Sequence, residues 1–283
     1  MSMTWTPLPL ALENALAPIY YSAINIKYLT AFWQKYQSEF PDLVVSIKGG
    51  LNVTRLVPEG SKAFIDRSVD TIVRHFPKDQ PRPKLIFEIA RVDPKTLYEE
   101  TIGYIKEHVD NDTIYGISLS EVGVGSIQKA LSVAPVECVE IEFSLICQDI
   151  LQNGVLQELW ENNVVVVAYS PLGRGLRLQG HHRPVFREKL PHKLQVGRLV
   201  AEVRSCKGHS LDSLALSWIL SGISKVANIV PIPSGSTPEK VDANLGSIVE
   251  STREDLDKIS AISAAHPVQG YRYNEHHASL EFA

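Results

Sequence analysis

Short apolar runs alternate along the chain with stretches whose apolar positions recur at helical spacing. The runs predict strands at Leu43–Ile47, Lys84–Ile89, Thr113–Leu119, Cys138–Phe143, Val164–Tyr169 and Asn228–Ile232. Each is short, rich in β-branched residues and closed by polar or Gly/Pro punctuation. The run Val164–Ala168 is apolar throughout, which suits a strand buried on both faces, as in a parallel sheet. Helices are predicted between them, at Ile24–Phe40, Ser61–His75, Tyr98–His108, Gly125–Ser132, Val155–Asn162, Leu211–Ile219, Pro238–Val249 and Arg253–Ala264. Ser61 and Thr237 stand at cap positions, with Pro238 in the first turn. This βα repetition without a compositional break predicts one parallel-sheet domain over residues 1–283. A closed barrel needs eight units. Six are visible here, and the others are expected ahead of Leu43, where the pattern is poor. Residues 1–42 therefore read as a degenerate amino-terminal part, and 266–283 as a carboxyl-terminal tail. The long basic segment Leu172–Leu190 is expected to form a mobile loop over a site.

Composition narrows the classes. Of 283 residues, 44% are hydrophobic and 21% charged, and the net charge is −4. That balance supports a buried core and gives no electrostatic case for nucleic acid or a membrane surface as a partner. No run reaches the roughly 18 apolar residues of a membrane helix, and Met1–Leu12 lacks the basic start of a signal peptide. A cytoplasmic protein is expected. Cys138, Cys147 and Cys206 are odd in number and form no CxxC, so a structural, reduced role is expected. The histidines show no metal-ligand spacing, and no metal site is expected. No P-loop, GxSxG or GxGxxG motif occurs.

Four places carry candidate chemistry. In Val167-Ala168-Tyr169-Ser170-Pro171-Leu172-Gly173-Arg174-Gly175 a buried strand ends on an aromatic. Groups at carboxyl ends of barrel strands face the active site. Tyr169 there can stack on a planar heterocycle, and Ser170 with the following amides can hold phosphate oxygens; a core tyrosine before an ordinary turn reads equally well. In Val230–Lys240 a strand runs through Ser234-Gly235-Ser236 into a helix start, which reads either as an anion-binding arrangement to which Lys240 adds charge or as an ordinary capped helix. Asn244 lies one turn on, on the same face as Lys240. Lys48 ends the first predicted strand, where its ammonium must be paired, functional, or lifted to solvent. Beside a tyrosine it would lower a phenol pKa from about 10. Glu140 and Glu142 share one strand face, where Glu140 can accept from a ligand amide or pair with Lys48 or an arginine.

Together, Val45-Ser46-Ile47-Lys48-Gly49-Gly50, Ile117-Ser118-Leu119-Ser120-Glu121-Val122, Val139–Leu145, Ala168–Gly173 and Pro231–Ser236 resemble the aldo-keto reductases. Within that family they are most similar to the fungal pyridoxal reductase group, to which Gly270-Tyr271-Arg272-Tyr273-Asn274 also points. The resemblance implies a (β/α)8 barrel of the aldo-keto reductase type, without its first one or two strands, that binds NADP(H) and passes hydride to or from a small carbonyl or alcohol. It places Tyr169 on the nicotinamide, and Ser120, Glu121 and Glu140 at its carboxamide. Ser170, Leu172 and Arg174 fall to the pyrophosphate, Gly235, Ser236 and Lys240 to the 2′-phosphate, and Asn244 to the adenine.

The family uses an Asp, Tyr, Lys and His tetrad. Lys48 matches the lysine, and Ala90 stands where the histidine is usual. No aspartate precedes Asp42 and no glycine precedes Gly49. Tyr21, followed by Ser22 in place of the family glycine, is the candidate acid, with Tyr20 beside it. Two readings result: a reductase acting on a pyridoxal-like aldehyde, or a catalytically impaired nucleotide-binding barrel that serves as a regulatory or partner-binding protein.

Overall fold

The computed structural model describes residues 23–173, 210–220, 228–246, 248–249, 252–265 and 281–283. The expected mobile loop from position 174 onward, Cys206 and tail positions 266–280 lie outside the described residues. The chain divides into two compact units, Met1–Val139 with Ala283, and Glu140–Phe282.

The first unit holds α1 (Ala23–Tyr36), β1 (Val44–Gly49), β2 (Leu51–Asn52), β3 (Val57–Pro58), α2 (Lys62–Val73), β4 (Lys84–Ile89), α3 (Tyr98–Asp110), β5 (Gly116–Ser120) and α4 (Val124–Val133). β1 and β4 are parallel from Val44 opposite Lys84 to Gly49 opposite Ile89. β4 and β5 are parallel from Ile86 opposite Gly116 to Ile89 opposite Leu119. The helices bury residues three and four apart: Ile65, Val69 and Ile72 on α2, Ile102 and Ile105 on α3, Ile127 and Ala130 on α4. α3 packs against α2, α4 and β5. α1 is tied down by buried Trp33, whose indole nitrogen donates to the Pro81 carbonyl at 2.9 Å.

Several details of the first unit depart from the sequence reading. Ser61 stands at the α2 cap with extended backbone, but its side chain makes no capping hydrogen bond. β5 begins at Gly116 rather than Thr113, because the Thr113 and Ile114 amides close α3 by bonding the His108 carbonyl. An antiparallel hairpin, β2 with β3, follows β1. Asn52 shapes its turn, accepting from the Thr54 and Arg55 amides and donating to Glu59 Oε2.

β6 (Cys138–Glu142) starts in the first unit and ends in the second. The second unit continues with a 3-10 turn (Asp149–Leu151), α5 (Val155–Glu161), β7 (Val165–Tyr169), α6 (Leu211–Trp218), β8 (Ile229–Ile232), α7 (Pro238–Leu245) and α8 (Arg253–Ala265). β7 and β8 are parallel from Val166 opposite Ile229 to Tyr169 opposite Ile232. Its core joins Phe143 to Trp218, with ring centroids 5.4 Å apart, and the Trp218 indole donates to Ser260 Oγ at 3.0 Å. α7 stops at Leu245 rather than Val249, since the Val249 amide turns away to donate to Ser217 Oγ at 2.9 Å. Among the described residues no helix is long and apolar enough to cross a membrane.

Candidate active site

The first unit gathers polar side chains on one face of its sheet. Alternate residues of a strand share a face, so Ser46 and Lys48 of β1 look the same way, and the register sets Glu88 of β4 directly beside Lys48. Glu88 lies between Phe87 and Ile89, which are fully buried, and is itself buried. Its two oxygens meet two donors from β1: Lys48 Nζ lies 2.9 Å from Oε1, and Ser46 Oγ donates to Oε2 at 3.1 Å. Lys48 Nζ also donates to Ser120 Oγ at 3.4 Å, at the end of β5. Arg91 Nη1 reaches the same hydroxyl at 3.2 Å and the Ala90 carbonyl at 2.6 Å. Two cations, one carboxylate and one hydroxyl thus meet at the carboxyl ends of three adjacent strands. A hydroxyl accepts through two lone pairs and donates one proton, so with both cations on it Ser120 is left as a donor.

The backbone leaves these strands sharply. Gly50 follows β1 with φ +73°, and a Cβ there would meet Ile89 Cδ1 at 2.1 Å, so both the left-handed conformation and the close approach require glycine. Glu121 follows β5 with φ +56° and is buried, an uncommon conformation for a long side chain. In the second unit Ser170 follows β7 with φ +51°, and the Gly173 amide closes that turn onto the Ser170 carbonyl at 2.8 Å. Glu121 and Ser170, non-glycine residues held left-handed at the ends of β5 and β7, carry the kind of local strain that collects at functional sites.

Behind this rim, Asp93 fastens two connections together. Its buried carboxylate accepts from the Gly60 amide at 2.8 Å, the Lys95 amide at 2.9 Å and Thr96 Oγ1 at 3.2 Å. Thr101 of α3 completes the junction by donating to the Gly60 carbonyl at 3.1 Å.

The second unit carries the remaining described candidates. Glu140, Tyr169, Ser170 and Leu172 are half-buried. At the start of α7, Thr237 caps the helix by accepting from the Lys240 amide. Lys240 Nζ donates back to Ser236 Oγ at 2.9 Å, and Asn244 Nδ2 donates to the Ser234 carbonyl at 3.3 Å. Gly235 lies against Val241, whose Cγ2 a Cβ would meet at 2.5 Å. Gly235, Ser236 and Lys240 are all exposed, so the loop presents its serine, its amides and one cation to solvent. Arg174 and the tyrosines Tyr20 and Tyr21 lie outside the described residues, as do the adjacent histidine pairs at 181–182 and 276–277. Among the described residues no group of His, Cys, Asp and Glu could hold a metal ion.

Sequence reading singled out Lys48 and Ser120 but not their contact. It passed over Ser46, Glu88 and Arg91. One signal was available: a glutamate inside the apolar run Leu85-Ile86-Phe87-Glu88-Ile89 needs a partner on the neighbouring strand.

The sequence profile of the aldo/keto reductase family matches residues 16–264. A Schizosaccharomyces pombe protein named "Probable pyridoxal reductase 2" is 26% identical, over 97% of this chain and 93% of its own length. A Saccharomyces cerevisiae protein named "Putative pyridoxal reductase" is 32% identical, over 78% of this chain and 72% of its own. Among solved structures, a glycerol dehydrogenase from Gluconobacter oxydans superposes with a TM-score of 0.69 at 17% identity, covering 86% of this chain and 80% of that one.

Proposed function

The chain belongs to the aldo/keto reductase family, an oxidoreductase family with the (β/α)8 barrel fold, and from that premise we propose that it reduces an aldehyde or ketone of the pyridoxal kind to the alcohol with NADPH, or runs the reverse reaction. The observation that carries this reading is the meeting of Lys48 with Ser120 at the carboxyl ends of β1 and β5. These are the residues that the family resemblance assigns to proton transfer and to the nicotinamide carboxamide. The names of the two fungal relatives suggest the substrate class.

NADPH, when bound, supplies the hydride. The residues fit such a group. Lys240 and Ser236 offer a cation and a hydroxyl to a 2′-phosphate beside the capped start of α7. Gly235 leaves the loop amides approachable, and Asn244 would lie against the adenine. Tyr169 would stack on the nicotinamide, with Ser170, Leu172 and Arg174 along the pyrophosphate and Ser120, Glu121 and Glu140 at the carboxamide. Ser120, left as a donor, would meet the carboxamide through its oxygen. At the reacting end, the Lys48 ammonium stabilises negative charge growing on the carbonyl oxygen and eases proton release by a neighbouring phenol, for which Tyr21 is the candidate. The carbonyl carbon gains the hydride and its oxygen gains the proton.

The second reading is a barrel that binds nucleotide without turnover. Ala90, a buried methyl group where the family usually has histidine, does not decide between the two, because the resemblance to the pyridoxal reductase group implies the same loss there.

The experiment measures pyridoxal-dependent loss of NADPH absorbance and NADPH binding by protein fluorescence on the same preparation. The reductase reading expects both. It further expects Lys48→Met to slow turnover by about 100-fold or more, the scale of general acid catalysis, while NADPH affinity stays within about threefold. Binding without turnover selects the second reading, and absence of binding removes both. Tyr21→Phe with unchanged turnover would move the acid to another group.

A further inference from the structure

We propose that Glu88 is a positioning residue for the reaction: its carboxylate, fixed by Ser46, holds the Lys48 ammonium where the carbonyl oxygen must meet it. The inference rests on the reading that Lys48 acts in the chemistry. Glu88 itself does not touch the substrate; it acts through Lys48.

The geometry points this way for three reasons. First, the carboxylate is costly where it is. It interrupts a fully buried run of β4 and is 4% exposed, so a role in packing alone would be better served by an apolar side chain. Second, it is anchored at both oxygens from the same strand: Ser46 takes Oε2 at 3.1 Å and Lys48 takes Oε1 at 2.9 Å. The Ser46 bond fixes the carboxylate plane, and the plane fixes where Oε1 waits for the ammonium. Third, a lysine needs such an anchor more than an arginine does. Its charge sits on a flexible four-carbon stem, and Lys48 remains 21% exposed, so solvent competes for it. Misplacing a reacting group by about 1 Å can cost about 100-fold in rate. The parallel register, with Lys48 opposite Glu88, builds this anchor into the sheet rather than into a loop.

The test is a pair of double-mutant cycles on the full chain, with Glu88→Gln, Lys48→Met and the double variant. Pyridoxal and NADPH are the substrates. Glu88→Gln is expected to lower kcat by about 10- to 100-fold with NADPH affinity within about threefold of the parent. The double variant is expected to be no slower than Lys48→Met alone, because Glu88 has nothing left to position. A merely structural glutamate would instead multiply its loss onto that of Lys48→Met, and that outcome overturns the proposal. The second cycle reads urea midpoints, independent of activity. The double variant should unfold at higher urea than the two single losses predict when summed, because Lys48→Met alone leaves the buried Glu88 charge without its ammonium; strict additivity would show that the pair does not form in solution and would also overturn the proposal. If Glu88→Gln fails to fold, Glu88→Asp, which keeps the charge but shortens the reach, runs the kinetic cycle with the same expectation. Undiminished turnover in Lys48→Met would remove the catalytic reading of the lysine together with this inference. A loss in Lys48→Met with none in Glu88→Gln would remove the inference alone.

Discussion

At the scale of single residues, Tyr98 shows what burial does when no partner accompanies it. It opens α3, is 4% exposed, and its hydroxyl has no hydrogen-bond partner among the described residues. An orphaned buried hydroxyl costs about 1–3 kcal/mol, so Tyr98→Phe should raise stability by about 1 kcal/mol, read as a higher urea midpoint at unchanged slope. Burial also pushes the phenol pKa well above its usual value near 10.0. The sign of the pH effect follows from that direction. Below about pH 10 the phenol is neutral folded or unfolded, and no stability is lost through it. Above that pH only the unfolded chain ionises, so stability falls by up to about 1.4 kcal/mol per pH unit. The phenylalanine variant lacks this term, and its advantage in urea should widen between about pH 8 and about pH 11. An advantage that stays constant or narrows across that range would mean the phenol ionises in the folded protein too.

Elements were legible where one periodicity ran long enough to be read. The strand from Lys84 to Ile89 was legible at both ends because an apolar run interrupted only by Glu88 is bounded by a proline-rich approach and by the Ala90-Arg91 exit. The β2–β3 hairpin was not, because strands of two residues have no period and Pro58 argues against pairing. Asn52 shapes the hairpin locally, but the connection that follows it is tied at Gly60 to a carboxylate 33 residues further along, and sequence spacing carries no trace of such a contact. The candidate site divides in the same way. Lys48 announced itself by ending a buried strand, whereas Glu88, Ser46 and Arg91 gained meaning only once the register put them beside it. The positive φ of Glu121 was hidden for a related reason: nothing in a glutamate signals a left-handed turn, as Gly50 does. Asp93 lends itself to measurement. Asp93→Ala leaves the Gly60 and Lys95 amides and Thr96 Oγ1 without their acceptor, and Gly60 lies in a buried junction. The expected loss is about 2–4 kcal/mol in urea unfolding. Asp93→Asn keeps one accepting oxygen and should lose less; equal losses would show that the junction depends on charge rather than on the accepting oxygens.

For the molecule as a whole, the candidate nucleotide residues are distributed over both compact units: Ser120 and Glu121 belong to the first, Tyr169, Ser236, Lys240 and Asn244 to the second. A nucleotide that binds the folded chain adds its binding energy to the stability of that chain by mass action. Saturation at about 100 times Kd would add about 2.7 kcal/mol, visible as a rise in Tm that grows with NADPH concentration. The 2′-phosphate distinguishes NADPH from NADH, and among the described residues Lys240, bonded to Ser236 Oγ, is the candidate cation for it. Lys240→Ala should therefore reduce protection by NADPH, with a Kd about 10- to 100-fold higher, as expected for losing one charge-assisted contact of about 1.5–3 kcal/mol. Protection by NADH should hardly change. Because Lys240 is exposed, the variant should fold as well as the parent, and the Tm without nucleotide provides that control. Equal loss of protection by both nucleotides would mean that Lys240 shapes the loop rather than reading the phosphate. A full response to NADPH in Lys48→Met would show that holding the nucleotide and reacting with it are carried by different residues, as a lysine confined to the reacting end requires.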